Sequence, residues 1–166
     1  MAKIIGLVGR ARVGKDTVAS MFSETHKAVK FARPVKEACK AIYDWTDEHV
    51  ETDAKEVMDP RWGVTPRVAM VHMTHAIRSF MTADFFTQRF FNAWDGTPII
   101  ITDVRFAHDI EEIHKRGGIT IKIRRSSVPQ HEFEFGIDCL STTFEIDNNG
   151  SLDDLRLKVA AIRAGL

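Results

Sequence analysis

The chain has 166 residues, inside the range of about 100–200 that usually makes one domain. Lys and Arg total 23 and so do Asp and Glu, so the formal charge is zero; whole-molecule attraction to nucleic acid or an anionic membrane is disfavoured, and any anion site has to be built locally. With 44% hydrophobic and 28% charged residues the composition is globular, and apolar runs such as Ile99-Ile100-Ile101 are far too short to span a bilayer, which excludes membrane-spanning and disordered classes.

Residues 3–8 form an apolar run ending at Gly9, short enough for a strand buried on both faces. A helix is expected from near Gly14, carrying Val18, Met21 and Phe22 inward, then a short strand around residues 29–32. Pro34 opens a second helix whose stripe Val35, Ala38, Cys39 and Ile42 has core spacing. Residues 44–61 mix Trp45 with many charges and follow neither period, which predicts an irregular or partly helical flap. Thr65-Pro66 is a cap-plus-proline start for a helix to about Phe80, followed by another over 84–93.

After the break at Asp95-Gly96-Thr97-Pro98, residues 99–101 read as a buried strand, 108–116 as a helix closed by Gly117-Gly118, and 119–123 as an alternating strand. A last strand is expected at 143–146, and Ser151-Leu152-Asp153-Asp154 resembles a capping box for a helix with Leu152, Leu155, Val159 and Ile162 on one side. The rhythm is that of a parallel α/β fold.

The cysteines, Cys39 and Cys139, lie far apart with no CxxC spacing and no paired histidines, so reduced, partly buried thiols are expected rather than a disulfide or zinc site. The first six residues carry no export pattern, and a cytoplasmic location is expected. His26, His49, His72, His75, His108 and His114 have no metal-ligand spacing.

The strongest motif is Gly9-Arg10-Ala11-Arg12-Val13-Gly14-Lys15-Asp16-Thr17, which fits G-x-x-x-x-G-K with Asp16 next and a hydroxyl only at Thr17. In such a loop backbone N–H groups converge on phosphate oxygens, the helix start adds partial positive charge, and Lys15 brings a mobile cation. Asp16 reads either as an oxygen ligand for Mg²⁺ or as an acid favoured by the helix dipole; Thr17 suits the α-phosphate.

Gly14-Lys15-Asp16-Thr17, Phe31-Ala32-Arg33-Pro34-Val35-Lys36, Ile101-Thr102-Asp103-Val104-Arg105-Phe106, and His131 with Glu134 together resemble the phage-type deoxynucleoside monophosphate kinases. The resemblance spans nearly the whole chain. It implies a P-loop, three-layer α/β/α fold with a central parallel sheet of about five strands, formed by a single domain over 1–166. A helical acceptor-binding region at about 33–94 and a short lid at about 124–138 would belong to that domain. ATP would be the donor, a deoxynucleoside monophosphate the acceptor and Mg²⁺ the metal, with small-molecule nucleotides as partners, no nucleic acid or membrane, and a homodimer left open. Where the family commonly has Gly-Thr-Glu, this chain reads Met73-Thr74-His75 before Arg78.

Around that frame the candidate roles fall as follows. Gly9, Arg12, Val13, Gly14, Lys15, Asp16 and Thr17 are assigned to ATP, and Asp16 also to the metal. Asn148 and Gly150 resemble a turn on which adenine rests, or are an ordinary turn. Arg33 and Lys36 flank a helix-starting proline and suit the acceptor phosphate, or form a solvated face. Arg67, Thr74 and Arg78 extend the acceptor set, the arginines with surface ion pairing as the alternative.

Thr102, Asp103 and Arg105 end a buried strand at the edge where open parallel sheets hold ligands; Asp103 is the Walker-B-like group, unless Asp103 and Arg105 pair together or cap the helix near His108. Arg124 and Arg125, after the fourth strand, suit a lid that neutralises a migrating phosphoryl group, or act as edge-strand charges. Catalysis would then rest on Lys15, Asp103, Arg124 and Arg125. The other readings are a different small-molecule kinase with a Gly-Lys-Asp-Thr loop, of phosphomevalonate or dephospho-coenzyme A type, and a regulatory module that binds ATP without transfer.

Overall fold

The computed structural model describes residues 2–128 and 136–165. It contains two compact units, one formed by Met1–Lys30 with Phe90–Leu166 and the other by Phe31–Arg89.

The first unit is built on five strands, β1 (Ile4–Val8), β2 (Lys27–Val29), β3 (Ile99–Val104), β4 (Ile119–Arg124) and β5 (Phe144–Asp147). They lie in the order β2-β3-β1-β4-β5, and every pairing is parallel. Every residue of β1 is buried, which is why this strand reads as an unbroken apolar run rather than an alternating one. Helices α1 (Lys15–Ser20) and α7 (Leu152–Ala164) cover one face. There Val18, Phe22, Leu155 and Val159 pack with Ile5, Leu7, Ile100, Ile121, Ile123 and Ile146. On the other face α6 (Ala107–Lys115) sets Ile113 so close to Gly6 that a Cβ there would stand 2.7 Å from its Cδ1. This is the three-layer α/β/α architecture with a five-stranded parallel sheet.

The second unit holds α2 (Arg33–Tyr43), α3 (Asp47–Glu51), a 3-10 turn at Asp53–Glu56 and α4 (Pro66–Phe80). Helix α5 (Phe85–Asn92) carries the chain back into the first unit. Thr65 caps α4 by accepting from Val68 N, with Pro66 at the first helical position. The stretch expected as a flap holds a buried Trp45, whose Nε1 donates to the buried Asp59 at 2.8 Å.

Several sequence expectations are corrected. The second strand ends at Val29 rather than Ala32, because Ala32 is already the N-cap of α2. Ile42 is 59% exposed although it continues the stripe of Val35 and Cys39, both buried. Helix α4 ends at Phe80 as expected, and that side chain is 87% exposed. Leu152 lies on the exposed side of α7, where Ser151 and Asp154 form the expected capping box. Cys139 is exposed, whereas Cys39 is buried and its thiol is pushed up by that burial. Among the described residues, no helix is long and apolar enough to cross a membrane.

Candidate functional site

The phosphate loop leaves β1 at the centre of the sheet, with β3 on one side and β4 on the other, so it sits at the C-terminal edge where the strand order reverses. Two glycines permit its path. Gly9 has φ 150°, and a Cβ there would lie 2.5 Å from the Ile123 carbonyl oxygen. Gly14, the N-cap of α1, has φ 106°. Between them Arg12 adopts φ 63°, a left-handed conformation that a non-glycine residue rarely takes.

Lys15 folds back over the loop, its Nζ donating to the carbonyls of Gly9 at 2.7 Å and Arg10 at 2.6 Å. Val13 is buried beneath, while Asp16 and Thr17 are exposed in the first turn of α1. Among the described residues no side chain caps this helix start. The residues therefore fit a polyphosphate: two positions without Cβ, a helix beginning with uncapped amides, and an ammonium already poised on loop oxygens.

At the end of β3 the ladder carries an irregularity that the sequence does not announce. Gly6 pairs with Ile101 and Val8 with Val104, so two steps along β1 match three along β3. Thr102 and Asp103 together oppose Leu7, a β-bulge of the kind that re-aims side chains beside functional sites. The Thr102 hydroxyl is buried and has no hydrogen-bond partner among the described residues, an orphan that a ligand or water would satisfy. At the start of helix α6, Asp109 Oδ2 accepts from the backbone N–H of Arg105 and Phe106, each at 3.1 Å. Sequence reasoning missed this buried aspartate; three residues beyond the N-cap Phe106, it occupies the capping-box acid position.

Arg124 is exposed and pairs with Glu145 on β5 at 3.3 Å, while Arg125 is exposed beyond it. Glu145 also meets the buried Lys122 at 3.1 Å, and these cations, Lys122 first, hold its carboxyl below the usual range. Arg10, also missed, reaches from the phosphate loop to Asp138 and to the carbonyl of Val128, at 3.5 Å. His131, Glu134 and the rest of 129–135 in the expected lid lie outside the described residues.

Asn148 does not stand as an ordinary turn residue: it is buried, and its amide Nδ2 donates to Val13 O at 2.8 Å. Gly150 is exposed.

Within the helical unit, Lys36 is paired with Glu51 at 2.5 Å and Arg67 with Glu56 at 2.5 Å. Arg33 is exposed at the start of α2. Arg78 lies over the Phe86 ring at 5.7 Å, and the Thr74 hydroxyl donates to the Met70 carbonyl of its own helix at 2.8 Å. Among the described residues no group of three or more His, Cys, Asp or Glu is arranged to hold a metal ion.

A parallel sheet whose central strand runs into a glycine- and lysine-bearing loop defines a P-loop α/β protein. A protein of Acanthamoeba polyphaga mimivirus named "Putative deoxynucleotide monophosphate kinase" is 31% identical over 146 residues, spanning 75% of this chain and 75% of that one. The chain belongs to the deoxynucleotide monophosphate kinase family. No protein-family model matches it. Among solved structures, TT1252 from Thermus thermophilus shares the fold with TM-score 0.50 at 15% identity, over 98% of this chain and 97% of its own. Dephospho-CoA kinase from Campylobacter jejuni gives 0.49 at 11% identity, over 98% and 96%.

Proposed function

We propose that this chain transfers the terminal phosphoryl group of ATP to a deoxynucleoside monophosphate, forming the diphosphate and ADP. The observation that carries the reading is the loop at the sheet's reversal point, where Gly9 and Gly14 clear the backbone and Lys15 rests on two loop carbonyls. Kinship with the mimivirus protein supports the choice of acceptor.

ATP with Mg²⁺ supplies the transferable group and part of the charge neutralisation. The chain supplies positioning. The first amides of α1 bind phosphate oxygens, and Lys15 exchanges its carbonyl partners for them. Asp16 and, at the bulge, Asp103 would hold the metal directly or through water. Arg33 and Lys36 take the acceptor phosphate, which has to displace Glu51 from Lys36; Arg67, held by Glu56, Arg78 and Arg105 are the further cations. Arg124 and Arg125 neutralise charge as the phosphoryl group passes, Arg124 leaving Glu145 to do so. No covalent intermediate on the protein is required.

The test is a coupled assay of ADP release with ATP, Mg²⁺ and a panel of deoxy- and ribonucleoside monophosphates. ADP release that depends on a deoxynucleoside monophosphate is expected. Binding of ATP with no monophosphate-dependent release across the panel would overturn the kinase reading in favour of a nucleotide-binding module.

A further inference from the structure

Two adjacent asparagines follow β5, and their amides are used in opposite senses. Asn148 is buried and acts as a donor, its Nδ2 lying 2.8 Å from the Val13 carbonyl, 135 residues away in sequence. The orientation of this amide is fixed by chemistry, since the reverse would set two carbonyl oxygens against each other. The fit is tight. A Cβ on Gly14 would stand 2.6 Å from the same Nδ2, so the loop's second glycine is required by the asparagine as well as by its own φ.

Asn149 is exposed and acts as an acceptor. Its Oδ1 receives the Ser126 backbone N–H at 2.8 Å and the Ser126 hydroxyl at 2.6 Å. Asp147 steadies it, with Oδ1 accepting from Asn149 N at 2.9 Å and Nδ2 at 2.6 Å. Asp147 is itself anchored to α7, because Lys158 donates to its carbonyl at 2.6 Å. Asn148 N also donates to the Arg124 carbonyl at 2.8 Å. One three-residue turn thus grips the phosphate loop through Val13 and, on its other side, the backbone on both flanks of Arg125.

We propose that Asn148 and Asn149 are positioning residues that lock the phosphate loop to the backbone bearing Arg124 and Arg125, so that donor phosphates and arginines share one frame. Neither residue needs to touch the nucleotide. The inference rests on the kinase reading above and adds to it a division of labour: Asn148 sets loop geometry and hence nucleotide affinity, whereas Asn149 sets arginine placement and hence turnover.

The experiment uses full-length Asn148→Ala, Asn148→Asp, Asn149→Ala and Ser126→Ala proteins. It measures titration with a fluorescent ADP analogue without acceptor, kcat and KM for ATP and a deoxynucleoside monophosphate, and amide hydrogen exchange without nucleotide. Loss of one buried hydrogen bond at Val13 should weaken nucleotide binding about tenfold and speed exchange at loop residues 10–14. Asn148→Asp, equal in size but without the N–H donor, should be at least as poor as Asn148→Ala; a residue that merely filled space would tolerate it. Asn149→Ala should keep nucleotide affinity within about twofold, lower kcat about tenfold and speed exchange at residues 125–128. Ser126→Ala, which loses only the hydroxyl contact, should fall between Asn149→Ala and the parent.

Unchanged affinity and loop exchange in a folded Asn148→Asp protein would overturn the Asn148 half. If the Asn148 variants fail to fold, the exposed Asn149 and Ser126 carry the test, and unchanged kcat and exchange there overturn the brace. Failure of the parent protein to bind the analogue refutes the kinase reading instead, and the exchange data still decide the brace.

Discussion

In the sheet-bearing unit, Ile5, Leu7, Ile100 and Ile121 are fully buried, and parallel ladders fix each strand against its neighbour. The helical unit, Phe31–Arg89, is held differently: its buried set includes Trp45 hydrogen-bonded to a buried carboxylate, and its cations Lys36, Lys40 and Arg67 sit on Glu51, Asp47 and Glu56. It also leaves Ile42, Val57, Met58, Trp62 and Phe80 largely exposed. Partly exposed ion pairs contribute about 0–1 kcal/mol each, so exchanging a carboxylate for a phosphate there costs little. Moving the glycine loop against the strand ladder costs much more. A loop fixed by the strand ladder and a set of easily re-paired surface cations are therefore the physical contrast between the units.

Four measurements would break or sharpen that contrast. The largest effect is expected for Lys15→Met, which removes the loop's own ammonium; turnover should fall about 10³-fold or more with the melting temperature nearly unchanged. Near-normal turnover in the folded variant would remove the loop from the chemistry. Next, Gly9→Ala puts a methyl 2.5 Å from Ile123 O, so it should abolish measurable nucleotide binding and cost roughly 1–3 kcal/mol of stability in a denaturant titration.

In the helical unit, Lys36→Ala and Arg33→Ala should raise the monophosphate KM about tenfold while leaving the ATP KM near its parent value. Equal effects on both substrates would erase the assignment of the acceptor phosphate to α2.

The smallest expected effect is on acid stability. Asp59 is held well below the usual aspartate range, chiefly by hydrogen bonds from Arg61 and then from Trp45. Its folded value is lowered, so its contribution is complete above the ordinary value of about 4 and is lost as pH falls toward the folded one. Unfolding followed through tryptophan fluorescence should show an acid limb that is shallower in Asp59→Asn. An identical limb would place the acid sensitivity elsewhere.

Much of the framework was legible in the chain. Lys3 to Val8 reads as a buried strand because a strand covered on both faces has no polar side to show, and Gly14-Lys15 marks the helix start because few other arrangements need that glycine. Ser151 and Thr65 announced their helices through local side-chain-to-backbone bonds. Ile42 misled because helical spacing identifies a face but not how far a neighbouring helix extends over it. Lys36, Arg67 and Arg124 were visible as cations, but nothing local indicates that Glu51, Glu56 and Glu145 occupy them.

Local interactions thus determined the phosphate loop, the strand-helix alternation and the capped helix ends, since each depends on residues a few positions apart. Tertiary structure decided the bulge at Thr102 and Asp103, the tether from Arg10 to Asp138 and the Asn148 amide on Val13. These depend on which strands become neighbours and in what register, and a contact spanning more than a hundred residues has no periodicity by which the sequence could reveal it.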